Sequence, residues 1–200
     1  LKKLFIDTET TGLDPEKSGL YQIAGIIEIE SEEHLLITEE FDLFCNIFDN
    51  DVVLEESLEK NNMTIEMIRT FNNPRDVYKE FTGILSKHVN KFNQADKFLV
   101  IGYFSDFDNQ VLRSWFTKND DKYFGSWFWH PWLDVSQIVT YFCQDYRLVF
   151  PNFKLETVAD LLEVKEDKNG DFHNALYDVK VTRSIYHKFD DILKTYWEEV

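Results

Sequence analysis

Cysteine, proline and glycine are all scarce in this chain, which holds two, four and seven of them in 200 residues. Cys45 and Cys143 are too few and too far apart for a disulfide framework or a zinc cluster, so both read as buried free thiols in a reducing compartment. No internal repeat, low-complexity tract or Gly/Ser linker marks a second domain, and residues 1–200 are expected to form one domain with a sizeable core. Long hydrophobic runs are missing too. No stretch approaches the roughly 18 apolar residues of a membrane span, and the positive-then-apolar pattern of a secretory signal is absent. The expectation is an intracellular, cytoplasmic protein with no membrane partner.

Basic charge is the other shortage. Lys and Arg number 21 against 37 acids, for a net charge of −16, and phosphate binding ordinarily draws on Lys and Arg. The distribution weakens that objection. Residues 28–60 carry twelve acids against Lys60 alone, so this stretch holds −11 and the rest of the chain only −5. Four acids of that remainder binding two divalent cations would leave about −1 on the body, with a positive field at the cations. The 28–60 stretch is expected to be a solvated face of strands and a loop, with a protein-docking surface as the alternative.

What is present is a mixed α/β order. "KKLFID", "YQIAGIIEIE" and "LLITEEFDLFCNI" read as strands, with "SEEH" as a turn, and suggest an antiparallel meander. Thr64 can cap a short helix "IEMIRTF", and Pro74 opens a longer one with Val77, Phe81, Ile84 and Leu85 on one face. "KFLVIGYF" is an interior strand, "FDNQVLRSWF" a helix, "WLDV" a short strand and "SQIVTYF" a helix. Two further helices, "KLETVADLLEV" and "NALYDVKVTRSIYHKFDDILKTYW", complete the chain.

The chemistry begins at "LFIDTETTGLDP". Residues i and i+2 of a strand share a face, so Asp7 and Glu9 project together from the end of an apolar strand. Such a pair calls for a compensating cation, and hard carboxylate oxygens suit Mg²⁺ or Mn²⁺. A bare pair could equally be exposed or capping. "IGYFSDFDNQVLRSWF" adds Asp108, after an apolar strand and at the start of a helix, where it can face the same sheet end as Asp7. "FHNALYDVKVT" adds His173 and Asp178. Five helical positions turn about 140° around the axis, which would point the two apart, so His173 is expected on the loop before the helix. Asp106 is the more economical helix N-cap. His34, His88, His130 and His187 have no such motif context.

The segments "FIDTETTGLDP", "GYFSDFDNQVL" and "HNALYDV" resemble the three motifs of the DEDDh family, the DnaQ-like 3′→5′ exonucleases. The resemblance extends to "MTIEMIRTFNNPRDVYKEFTGIL" and "NFKLETVADLLEV", and runs in order from residue 3 to about 186. It implies a ribonuclease H-like α/β fold with a mixed central sheet flanked by helices. It also implies Asp7, Glu9, Asp108 and Asp178 as ligands of two divalent cations, Mg²⁺ or Mn²⁺, with His173 as general base. Thr10, Gly12 and Leu13 would grip and wedge the 3′-terminal nucleotide. One departure stands out: many family members carry His-Asn where this chain has Tyr103 and Phe104.

The activity implied is hydrolysis of phosphodiester bonds from a nucleic acid 3′ end by two-metal-ion catalysis, releasing 5′-mononucleotides. The second motif and the aromatic insertion are similar to the exonuclease I branch, which favours single-stranded DNA. "LDVSQI" is similar to the oligoribonuclease branch and keeps RNA open. A catalytically silent interaction module would have lost ligands, and all five positions are occupied. The aromatic run "YFGSWFWHPW", residues 123–132, is expected chiefly in the core, with base stacking as the alternative. Oligomeric state and protein partners have no signature here.

Overall fold

The computed structural model describes residues 1–30, 35–144, 150–164 and 172–198. Its centre is a five-stranded mixed sheet in the order β3-β2-β1-β4-β5. Strands β1 (Lys2–Thr10), β2 (Leu20–Glu30) and β3 (Leu35–Phe44) form the expected antiparallel meander. The turn expected at 31–34 lies outside the described residues. Strand β4 (Leu99–Gly102) pairs parallel to β1, and β5 (Leu133–Asp134) parallel to β4, so β4 is interior as its apolar run suggests.

Alternation along the strands divides the core into two layers. Leu4, Ile6, Ile23, Ile27 and Val100 pack on one face, against α3 (Pro74–His88) and α4 (Ser105–Lys118). Phe5, Ile26 and Ile101 point to the other, against α5 (Val135–Phe142), α6 (Leu155–Leu161) and α7 (Ala175–Glu198). Burying both faces of a sheet in this way is the economical way to cover its apolar surface. Two short helices, α1 (Glu55–Glu59) and α2 (Ile65–Ile68), close the end beyond β2 through Leu58, Ile68 and Tyr21. Thr64 caps α2 by accepting from the Met67 N–H, and Asn73 caps α3 ahead of Pro74.

Two expectations are modified. Asp106 is not the N-cap of α4: that position is Phe104, and Asp106 sits in the first turn, accepting from Gln110 Nε2 at 2.8 Å. The 28–60 stretch is not wholly solvated. Glu28 is fully buried between Arg183 and His187 of α7, and the Asp51 side chain is 4 % exposed against Lys118. Most of the aromatic run is core, with Phe124, Trp127, Phe128 and Trp132 buried, while Tyr123 and Trp129 remain exposed. Cys45 and Cys143 are buried and free. Among the described residues, no helix is long and apolar enough to cross a membrane.

Candidate active site

The site lies at the carboxyl ends of β1 and β4, where parallel strands of an α/β sheet open a crevice. Asp7 and Glu9 continue the register of Phe5, toward the face covered by α7. Asp178 stands in the first turn of that helix. The result is a cluster in which one carboxylate oxygen from each of Asp7, Glu9 and Asp178 lies within 4.8 Å of the others. Beyond Glu9 the β1–β2 register shifts, leaving Tyr21 as the extra residue on β2. Asn61 binds both sides of this bulge, donating to Glu9 Oε2 at 2.7 Å and to the Tyr21 hydroxyl.

Asp108 approaches from the other layer. Thr8 points away from Asp7 and Glu9, toward α4, and donates to Asp108 Oδ1 from its N–H at 2.9 Å and its hydroxyl at 2.6 Å. The fourth carboxylate is therefore fixed next to the cluster, and its charge acts on Asp7 and Glu9, but its oxygens are not among the three that converge.

His173 is on the loop before α7, as expected, with a left-handed φ of 71°. Its N–H donates to Asp178 Oδ2 at 3.3 Å, and the residue lines a 250 Å³ cavity together with Asp7, Asp178, Tyr103, Phe104 and Lys154. Thr10 donates to the Gly12 carbonyl at 2.7 Å, Gly12 is buried, and Leu13 is 75 % exposed. A Cβ on Gly12 would meet Ser18 Oγ at 2.7 Å. Sequence reasoning missed Thr8, Asn61, Tyr21 and Lys154 as neighbours of the site; their contacts are long-range and leave no local pattern.

Crowding acids in a dry crevice disfavours their charged forms. Burial first, then the charges of Asp108, Glu9 and Asp178, raise the Asp7 carboxyl well above the usual range. Burial and Asp178 push Glu9 up to about 8 against the Asn61 hydrogen bond. Burial likewise raises Asp108 to about 7 against its Thr8 hydrogen bonds, and Asp178 to about 7 against the His173 N–H. Asp178 Oδ1 is buried with no hydrogen-bond partner among the described residues. An unpartnered carboxylate oxygen amid convergent acids fits a hard divalent cation.

This mixed five-stranded sheet flanked by helices, with carboxylates gathered at the end of its first strand, is the ribonuclease H-like, DnaQ-type arrangement that the chain shares with an exonuclease family and with exonuclease I. The chain belongs to the RNase_T exonuclease family, whose pattern it matches over residues 4–186. Its curated relatives include the PolC-type DNA polymerase III of Thermotoga petrophila and of Thermotoga maritima. Each is 24% identical over 189 residues, which is 94% of this chain and 12% of the relative. The fold is also that of E. coli exonuclease I bound to a dT13 oligonucleotide, with a TM-score of 0.72 and 20% identity over 98% of this chain and 43% of that one. A product-bound exonuclease I structure matches with a TM-score of 0.69 and 19% identity over 92% of this chain and 42% of that one. The chain thus spans about an eighth of the polymerases and under half of the exonuclease I chain.

Proposed function

We propose that this chain is a metal-dependent 3′→5′ exonuclease of the DEDDh type, acting on single-stranded DNA and releasing 5′-mononucleotides. The observation that carries this reading is the convergence of Asp7, Glu9 and Asp178 beside a Thr8-anchored Asp108, in a chain of an exonuclease family. Single-stranded DNA is favoured because an exonuclease I of the same fold binds dT13. Two free buried thiols suit a reducing compartment such as the cytoplasm.

Asp7, Glu9, Asp108 and Asp178 would hold two divalent cations, Mg²⁺ or Mn²⁺. When bound, such cations supply Lewis-acid stabilisation of the charge that develops in phosphoryl transfer. The remaining work falls to this chain's own groups. His173, lining the cavity from a loop, takes the proton of the attacking water, and its N–H bond to Asp178 ties the base to the carboxylate cluster. Leu13 presents an apolar side chain to the terminal base. Thr10 pins the turn beneath it through the Gly12 carbonyl, where a larger residue has no room.

The test uses 5′-labelled linear single strands of DNA and of RNA, a circular DNA strand, and the His173→Ala variant, all with Mg²⁺. The linear DNA is expected to shorten from its 3′ end while the circle survives, and His173→Ala to lose roughly 10²–10⁴-fold in rate. Preference for RNA would move the protein to the exoribonuclease reading. Cutting of the circle would defeat the exonuclease assignment.

A further inference from the structure

Among the described residues, five other than glycine have a positive φ, and two of them, Phe104 and His173, line the same cavity. His173 has a proposed chemical task there. Phe104 has none, although its backbone, at φ 55° and ψ 42°, is one that bulky L residues rarely adopt. Strain of this kind persists only where the surroundings enforce it. The enforcing groups are visible: the Phe104 N–H donates to Asp134 Oδ1 at 3.1 Å. That same oxygen accepts from the Ser136 N–H at 2.9 Å and the Ser136 hydroxyl at 2.7 Å, so it is fixed from behind.

What the strained backbone achieves is a ring in the open. Phe104 is 55 % exposed, its ring edge-on to Tyr103 at 5.1 Å, and Tyr103 is itself anchored by donating to the Phe153 carbonyl at 2.6 Å. Core packing does not account for an aromatic held outward on the wall of a cavity that contains Asp7 and Asp178. Lys154 lines the same cavity and makes no ion pair through its ammonium among the described residues, which leaves it available to a phosphate. Resting on the nuclease reading above, we propose that Phe104 stacks on a nucleobase at the 3′ end of the strand and so sets substrate affinity. Stacking on a ring suits every base, and this contact therefore favours unpaired ends without selecting sequence.

The test compares wild type, Phe104→Asn and Phe104→Tyr on 3′-labelled single-stranded DNA with Mg²⁺. A second strand carries abasic residues at its last two positions. Asparagine tolerates left-handed backbone better than phenylalanine, so the first variant removes the ring without adding strain. Phe104→Asn is expected to raise KM about tenfold with kcat within about threefold, and Phe104→Tyr to restore KM. On the abasic strand, wild type and Phe104→Asn should differ by less than about twofold. An unchanged KM in Phe104→Asn, or an equal rise on both strands, would overturn the stacking role while leaving the nuclease reading intact. A wild type that shortens neither strand would remove both.

Discussion

Thr8 stands between Asp7 and Glu9 in the chain but faces the opposite side of the sheet, so three successive residues serve two layers. Asp7 and Glu9 meet Asp178 on the α7 side, and Thr8 meets Asp108 on the α4 side. The cost is visible in the carboxyls, all four of which titrate above their ordinary values of about 4 in the folded state. Between that value and the pKa of about 8 at Glu9, the folded metal-free chain therefore binds more protons than the unfolded chain. Stability conferred by these groups is full at the acid end of the window and is lost as pH rises through it. With a chelator present, the melting temperature of the wild type should thus decline from pH 5 to pH 8 more steeply than that of Asp7→Asn. Added Mg²⁺ should restore the wild type at the alkaline end. Parallel declines in the two proteins, unaffected by Mg²⁺, would show that the cluster does not hold the proposed cations.

At the scale of elements, α7 matters most, because it delivers Asp178 and depends on a contact far away in sequence. Glu28 of β2 is fully buried under α7 and accepts from Arg183 and His187. Burial alone would raise its carboxyl; hydrogen bonds from His187 and Arg183 outweigh burial and hold it below the usual range. Removing one partner of a buried ion pair leaves the others desolvated and unpaired. Glu28→Ala should accordingly cost about 2–3 kcal/mol, less than a wholly buried pair because Arg183 and His187 are partly exposed. Urea unfolding at neutral pH measures this, and a loss below about 0.5 kcal/mol would mean that α7 is seated by its apolar face alone. Nothing in "GIIEIE" foretold it: alternation places Glu28 on a face, and only the arrival of α7 makes that face dry. The short strand in "WLDV" was read, as β5 (Leu133–Asp134), but α1 was not, because it buries only Leu58 and offers no full period of its own pattern.

For the molecule as a whole, the β1–β3 meander and the interior place of β4 were legible in their apolar runs, and the ribonuclease H-like fold in the resemblance of the three motifs. The site was legible in part. Two-residue spacing put Asp7 and Glu9 on one face, and the geometry of a helix kept His173 off α7, as found. The left-handed turn at Phe104 was not legible, since it is enforced by Asp134, thirty residues away, and its only trace was a departure from the His-Asn of related chains. Of the net charge of −16, −11 lies in the 28–60 stretch. Part of that is neutralised internally, at Glu28 and Asp51.

The proposed activity is removal of nucleotides from a 3′ end by four carboxylates and two divalent cations. It is tested most directly by incubating 3′-labelled single-stranded DNA with wild type in Mg²⁺, with wild type in chelator, and with Asp7→Asn in Mg²⁺. The account predicts immediate release of a labelled mononucleotide in the first reaction and none in the other two. Release at an undiminished rate by Asp7→Asn or in chelator, or release of the 3′ label only after the rest of the strand has gone, would contradict it.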